Sequence, residues 1–501
     1  MSLIDVSKLT FAYDGGREDI FTDVSFQMDT DWKLGFCGRN GRGKTTFLKL
    51  LMGKYEYAGT ISANVNFDYF PLDVADSHKN TIDILEGIAP DALLWKVQKE
   101  LSKLAVDENV LRRPFATLSN GERTKVLLAG LFLRENNFLL IDEPTNHLDM
   151  AARQIVARYL KGKAGFILVS HDRNFLDECV DHILLINKTS IEITRGNFSV
   201  WAEQKERRDS FEMAQNQRLE SEIGRLRESA AQRARWADKT EKGKFALNSG
   251  LKPDRGFVGH KAAKMMKKSK TIEKRLDNSI DQKSRLLKNI ETAQKLELKP
   301  QAYRAKRLLE LSDVAIVYDG REVLRGLNLT LESGDRVALQ GGNGSGKSSI
   351  LKLICGENVP RTGQVNIGSQ LVISYVPQDA SFLTGSLTDY AEERQVDKTL
   401  FMSMLNKLDF SRAQFDKDMG DYSAGQKKKV LIARSLCERA HVYVWDEPLN
   451  YVDVLSRMQI EELILAYKPT MIFVEHDKAF CDKVATTTLP MAYTRLPTPP
   501  A

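Results

Sequence analysis

The chain has 501 residues, 42% of them hydrophobic and 28% charged, with a formal net charge of +6. That length suits about two to four domains and that apolar share suits sizeable cores. No apolar run approaches the roughly eighteen residues a bilayer span needs, and the Met-Ser-Leu-Ile-Asp opening has neither a basic flank nor an apolar signal core, so a membrane-spanning or exported chain is excluded and a cytoplasmic one expected.

Five cysteines, Cys37, Cys179, Cys355, Cys437 and Cys481, are scattered without metal-ligand spacing and read as reduced, buried small residues.

In chain order, the first predicted strand ends in an aromatic at Phe11-Ala12-Tyr13-Asp14, and a glycine loop follows at Gly38-Arg39-Asn40-Gly41-Arg42-Gly43-Lys44-Thr45. Such a loop turns backbone N–H groups onto phosphates, while its lysine reaches the β and γ phosphates and its hydroxyl residue reaches Mg²⁺. Gly38, Asn40, Gly41, Gly43, Lys44, Thr45 and Thr46 are therefore candidate ATP-binding residues. The next element is Leu118-Ser119-Asn120-Gly121-Glu122, where serine and glycine opening a helix offer N–H donors to an anion. The strand Phe138-Leu139-Leu140-Ile141-Asp142-Glu143 then ends in two carboxylates, Asp142 placed for a hydrated metal and Glu143 for the attacking water. A further apolar strand, Ile167-Leu168-Val169-Ser170, delivers His171, a candidate sensor of the γ-phosphate.

From residue 201 to 298 the pattern changes to long charged stretches with sparse apolar residues at helical spacing. Leu219, Ile223, Leu226 and Ala230 form one stripe, and Ile272, Leu276, Leu286, Ile290 and Ala293 a looser second one. Two antiparallel helices on a narrow seam satisfy this; at roughly 35 residues each they would project about 50 Å. Residues 231–275 hold fourteen Lys and Arg against four acids, a local balance of +10 that leaves −4 for the remainder. Glycines and a proline interrupt residues 240–260, which nonetheless carry Lys244, Phe245, Leu247, Leu251 and Phe257. The bland reading is a solvated loop whose apolar residues fold back on the helices. The sharper one is a contact tip at the end of a cationic, phosphate-binding probe.

The second repeat restates the first. Ile316-Val317-Tyr318-Asp319 precedes Gly341-Gly342-Asn343-Gly344-Ser345-Gly346-Lys347-Ser348, with Ser349 next. Tyr422-Ser423-Ala424-Gly425-Gln426, the pair Asp446-Glu447 and His476 then follow in the same order. Tyr13 and Tyr318 are placed either to stack on adenine or to serve as ordinary strand aromatics. The copies also differ: Tyr375-Val376-Pro377-Gln378 supplies a glutamine that could approach Mg²⁺, where Tyr69-Phe70-Pro71-Leu72 has leucine. The expected domains are 1–200, 201–298 and 299–492, with a short tail at 493–501, giving an α/β fold of two tandem P-loop ATPase domains joined by a helical-hairpin linker.

The motif order in both repeats resembles that of ABC ATPases, across nearly the whole chain. The first signature departs from that family's common pattern by Asn120 and Glu122. The resemblance implies that the two domains of one monomer face each other. One site would join Lys44, Thr45, Glu143 and His171 to Ser423, Gly425 and Gln426; the other would join Lys347, Ser348, Glu447 and His476 to Ser119 and Gly121. Thr45, Asp142, Ser348, Gln378 and Asp446 would hold Mg²⁺, and both sites would hydrolyse ATP at different rates. A tandem pair with a basic linker and no membrane domain looks like the ABC-F group, whose members act on ribosomes. The linker, Glu143-Pro-Thr-Asn-His-Leu-Asp149, Glu447-Pro-Leu-Asn-Tyr-Val-Asp453 and the absence of a large arm between Leu72 and Ser119 are similar to the Lsa and Vga class. That class protects bacterial 70S ribosomes, contacting 23S rRNA and tRNA, against lincosamides, streptogramin A and pleuromutilins. A housekeeping translation factor and the ATPase subunit of a membrane exporter are the other two readings.

Overall fold

The structure, a computed structural model, describes residues 2–13, 19–146, 148–186, 191–243, 296–318, 321–342 and 344–491. By contacts the chain divides into two compact units, one of residues 1–201 with 293–501 and the other of residues 202–292. Both repeats lie in the first unit.

Each repeat builds a mainly parallel sheet beside a smaller antiparallel one. In the first, the large sheet runs in the order Asn66–Phe70, Asn137–Asp142, Phe166–Val169, Lys33–Gly38, His182–Ile186 and Ile191–Arg195, only the last strand being antiparallel to its neighbour. In the second, the order is Ile373–Val376, Val442–Asp446, Met471–Val474, Arg336–Gln340 and Thr487–Pro490, all parallel. Strands covered on both faces cannot alternate polar and apolar residues, which is why Val442–Asp446 and Phe166–Val169 are buried throughout. The antiparallel sheets centre on Leu3–Phe11 and Arg307–Tyr318. They close cores built from residues such as Ile4, Phe36 and Phe47 in the first repeat and Leu309, Ile350 and Ile472 in the second.

The carboxyl ends of the parallel strands position the chemistry. Lys33–Gly38 runs into the glycine loop and the helix Lys44–Leu51, and Arg336–Gln340 into the second loop and the helix Lys347–Ile354. Both helices start from a glycine in the left-handed region, Gly43 at φ 89° and Gly346 at φ 85°. At Gly43 a Cβ would also meet Ile20 Cγ2 at 2.5 Å, so glycine is required there twice over.

Between the repeats one helix, Phe198–Gly243, runs unbroken for 46 residues, about 70 Å at 1.5 Å per residue. It is longer than the spacing predicts, because residues 240–243 continue the helix instead of starting the turn. Phe198 and Trp201 are buried and packed together at 5.1 Å between ring centroids. Ile223 of the first predicted stripe is buried and Leu219 half-buried. The second stripe, the tip residues Lys244, Phe245, Leu247, Leu251 and Phe257, and Asn343 lie outside the described residues.

Candidate functional site

Two cavities lie where the repeats meet, and each is lined from both. The smaller, about 510 Å³, has Asn40, Gly41, Gly43, Lys44, Thr45 and Thr46 of the first loop, with Asp142, Glu143 and His171, facing Ser423, Gly425 and Tyr451 of the second repeat. The larger, about 940 Å³, has Gly344, Gly346, Lys347, Ser348 and Ser349, with Gln378, Glu447 and His476, facing Ser119 and Gly121 of the first. Each glycine loop is thus brought to the opposite repeat's serine-glycine helix.

Those helices are aimed by their caps. Ser119 and Ser423 each close a capping box, with Glu122 and Gln426 reaching back to the serine N–H at 2.8 Å. Gln426 therefore folds onto its own helix and does not line the first cavity. Glu122 does line the second, and it also accepts the Ser119 hydroxyl at 2.8 Å. Gly425 is tightly enclosed: a Cβ there would meet Tyr451 O of its own repeat at 2.4 Å and Asn40 Nδ2 of the opposite loop at 2.9 Å.

The lysines are buried within their loops. Lys44 Nζ donates to Gly38 O at 2.8 Å, Arg39 O at 3.2 Å and Asn40 Oδ1 at 3.3 Å, and Lys347 Nζ donates to Gly341 O and Gly342 O at 2.8 Å. Burial lowers both ammonium pKa values, opposed by nearby carboxylates. Phosphate oxygens would serve such an ammonium as well as these carbonyls do.

The acidic pairs differ in their surroundings. Asp142 Oδ2 accepts the hydroxyls of Thr45 and Tyr69, each at 2.9 Å. Asp446 is buried beside Ser348, and its Oδ1 has no hydrogen-bond partner; burial raises its pKa. An orphaned buried carboxylate oxygen next to a hydroxyl fits a hard divalent cation. Glu447 Oε2 accepts Asn450 Nδ2 at 2.6 Å and Gln378 Nε2 at 3.0 Å, and Oε1 lies 3.2 Å from His476 Nε2. Burial would raise this carboxyl, but His476, Gln378 and Lys347 together hold it down at about 2. Glu143 lies 3.1 Å from His171 Nε2, yet its Oε1 has no aligned hydrogen bond. Burial, then the charge of Asp142, push it up to about 8, although Lys44 opposes them. Burial and then Lys44 also keep His171 well below its ordinary value, hence neutral. Leu72 in place of glutamine explains part of this contrast, since a leucine has no amide to donate.

Tyr13 lines the first cavity with its ring part exposed; its hydroxyl shares a 2.8 Å hydrogen bond with Thr46, and Phe11 and Tyr55 hold it edge-on. Tyr318 is likewise part exposed and donates to Ser349 Oγ at 3.2 Å, but does not line the second cavity. Three contributors were not singled out from sequence: Asn450, which holds Glu447; Lys125, which lines the second cavity; and the backbone of Tyr451, whose carbonyl accepts Asn40 Nδ2 at 2.7 Å from the opposite repeat. The repeated Glu-Pro-X-Asn at 143–146 and 447–450 was the available signal for Asn450.

Comparison with known proteins agrees with this geometry. The family described as "ABC transporter" matches residues 21–146 and 324–450. The chain is 27% identical to the ATP-binding protein Uup of Buchnera aphidicola subsp. Acyrthosiphon pisum (strain APS), over 97% of this chain and 80% of that one. It is 26% identical to the ribosome protection protein VmlR of Bacillus subtilis (strain 168), over 97% of this chain and 86% of that one. Among solved structures, the archaeal ribosome recycling factor aABCE1, in complex with the ribosomal stalk protein aP1, has the same fold with a TM-score of 0.62, 19% identity, and coverage of 96% of this chain and 87% of that one. Among the described residues no helix is long and apolar enough to cross a membrane. With its motifs matched twice, the chain belongs to the ABC transporter family and carries two tandem ABC ATPase domains, which bind and hydrolyse ATP.

Proposed function

We propose that this chain is a cytoplasmic ABC-F ATPase that protects the bacterial 70S ribosome against lincosamide, streptogramin A and pleuromutilin antibiotics. The assembly of each nucleotide cavity from both repeats carries the mechanical part of this reading. ATP joins the halves, and its hydrolysis lets them part. Glu143 and Glu447 orient the attacking water, and His171 and His476 sense the γ-phosphate. Lys44, Lys347 and the backbone of the glycine loops hold the phosphates, while Ser423, Gly425, Ser119 and Gly121 complete each site from across the interface. Mg²⁺ would be held by Thr45 and Asp142 in one site and by Ser348, Asp446 and the free amide oxygen of Gln378 in the other, supplying charge neutralisation at the phosphates.

The likeness to a ribosome protection protein over nearly the full chain supports a ribosomal partner, as does the +10 balance of residues 231–275. This cationic segment binds rRNA and tRNA near the tRNA exit site, and residues 240–260 approach the drug pocket. Drug displacement requires that the closed form favour a pocket arrangement that the open form does not; ATP splitting serves release. A housekeeping translation factor is the second reading, favoured by 26% identity, over 94% of this chain, to the energy-dependent translational throttle protein EttA of Haemophilus influenzae (strain ATCC 51907 / DSM 11121 / KW20 / Rd).

The test uses the Glu143→Gln, Glu447→Gln double variant. With ATP it should co-sediment with 70S ribosomes and release a labelled lincosamide or pleuromutilin already bound there. Binding without drug release, together with unchanged drug susceptibility of cells carrying the chain, would favour the housekeeping reading. Absence of ribosome binding would remove both.

A further inference from the structure

The two repeats meet through related elements, so residues at their interface can be matched between the repeats. Asp149, Arg153 and Ala157 correspond to Asp453, Arg457 and Glu461, and His171, Asp172 and Arg173 to His476, Asp477 and Lys478. Within each repeat one pairing is kept: Arg153 Nη1 donates to Asp172 Oδ2 at 2.8 Å in the first and Arg457 Nη1 to Asp477 Oδ2 at 3.3 Å in the second.

The next pairing is not kept. Arg173 Nη2 crosses the interface to donate to Glu461 Oε2 at 2.7 Å and lies 3.7 Å from Asp477 Oδ2, while Glu461 Oε1 takes Lys483 Nζ at 2.8 Å. Arg173 and Glu461 are both buried. Their counterparts are the exposed Lys478 and the methyl group of Ala157, which border a cavity of about 290 Å³ instead of forming a pair. Because desolvation offsets much of the attraction in a buried ion pair, such a pair is weak evidence for stability. The other side of the same interface does without one, so a specific positional role fits the Arg173–Glu461 pair better.

Both ends of the pair bear on the first nucleotide site. Arg173 lies two residues beyond His171, which faces Glu143 at 3.1 Å. Glu461 lies on the helix Val454–Tyr467, whose N-cap is Asp453. The segment just before that cap contains Tyr451, whose carbonyl accepts Asn40 Nδ2 in the first cavity. We propose that Arg173 and Glu461 form a one-sided interdomain latch that positions the Leu449–Asp453 loop of the second repeat, and the Tyr451 carbonyl in it, against the first nucleotide site, so that closure of the first site depends on this pair far more than closure of the second. Arg173 is thereby a positioning residue that acts through the loop and touches no substrate. This inference rests on the composite-site reading above.

The experiment is steady-state ATP titration of the full chain in two backgrounds, Glu447→Gln, which leaves turnover to the first site, and Glu143→Gln, which leaves it to the second. Arg173→Met or Glu461→Gln should raise the ATP concentration for half-maximal turnover about fivefold or more in the first background and less than about twofold in the second, with maximal rate little changed. Combining the two substitutions should add nothing beyond the larger single effect, since they break one interaction. Arg173→Lys, which keeps a charge, should recover part of the shift. Equal shifts in both backgrounds, or no shift in the first, would overturn the latch. Glu461→Gln keeps the side chain's shape, so the question is answered even if Arg173→Met does not fold. Ser423→Ala separates the two levels of inference: no effect of that change on first-site turnover would remove the composite-site reading, whereas an effect there with none from the latch variants would remove the latch alone.

Discussion

Glu143 and Glu447 stand at equivalent places and differ because of their donors. Glu447 is held ionised by His476, Gln378 and Lys347, with Asn450 as a further donor, whereas Glu143 is half-buried beside Asp142 and its Oε1 has no aligned donor. A carboxyl raised from 4.5 to about 8 binds its proton more tightly in the folded chain, so its contribution to stability is fully present below pH 4.5 and is lost as pH rises toward 8. One lowered to about 2 contributes above 4.5 and loses that contribution as pH falls toward 2. If each carboxylate must be ionised to work on water, the single-site backgrounds should have different pH profiles. With Glu447→Gln, ATP turnover should climb about tenfold between pH 7 and 8.5, while with Glu143→Gln it should show no loss from Glu447 down to pH 5.5. Coincident profiles would show that the donors around Glu447 do not govern its ionisation. Removing one of them, by Asn450→Leu, should move the second site's profile toward that of the first.

At the scale of elements, the serine-glycine helices decide whether a site can close. Their capping boxes fix the helix ends independently of the opposite repeat, so the helix forms first and its fit across the interface is a separate matter. Gly425→Ala disturbs that fit, because the added Cβ meets Asn40 Nδ2 of the opposite loop at 2.9 Å as well as Tyr451 O of its own repeat, the acceptor of that amide, at 2.4 Å. It should lower first-site turnover by about tenfold or more and also lower the melting temperature by roughly 2 °C or more, since the Tyr451 backbone of the same repeat must shift. A comparable fall in second-site turnover would show that closure of the two sites is not separable. The first repeat's helix carries an extra handicap, since the Glu122 carboxylate borders the cavity that must accept phosphates. Glu122→Gln should lower the ATP concentration for half-maximal second-site turnover severalfold, at little expense to the cap, because glutamine also serves in a capping box.

For the whole molecule, nucleotide bound between the repeats should stabilise both together. A ligand at about a hundred times its Kd contributes roughly 2.7 kcal/mol, which for domains of this size corresponds to a rise in melting temperature on the order of 5 °C. In the Glu143→Gln, Glu447→Gln variant, ATP should raise both repeats in one transition. Two separated transitions, with only one moved, would mean that ATP does not join the halves.

The duplicated motifs could be read from the chain because phosphate binding is local. A glycine loop, a strand ending in Asp-Glu and a histidine after an apolar strand each need only neighbouring residues, so Lys44, Asp142, Glu143 and His171 and their second copies stand out by spacing. The described part of the charged segment was also legible as helical, but the helix outruns the expected end, because Glu241 and Lys242, both good helix formers, carry it to Gly243. What the chain's order could not provide is the pairing of groups far apart in sequence. Asn40 meets Tyr451, Arg173 meets Glu461, Gln378 and Asn450 converge on Glu447, and Gln426 turns back onto its cap. The amino-acid sequence alone determined that there are two nucleotide-binding repeats and where their motifs lie, since those choices follow from short-range geometry. Only the tertiary structure decided how the two sites differ, because ionisation and closure depend on which distant side chains share a buried, low-dielectric space.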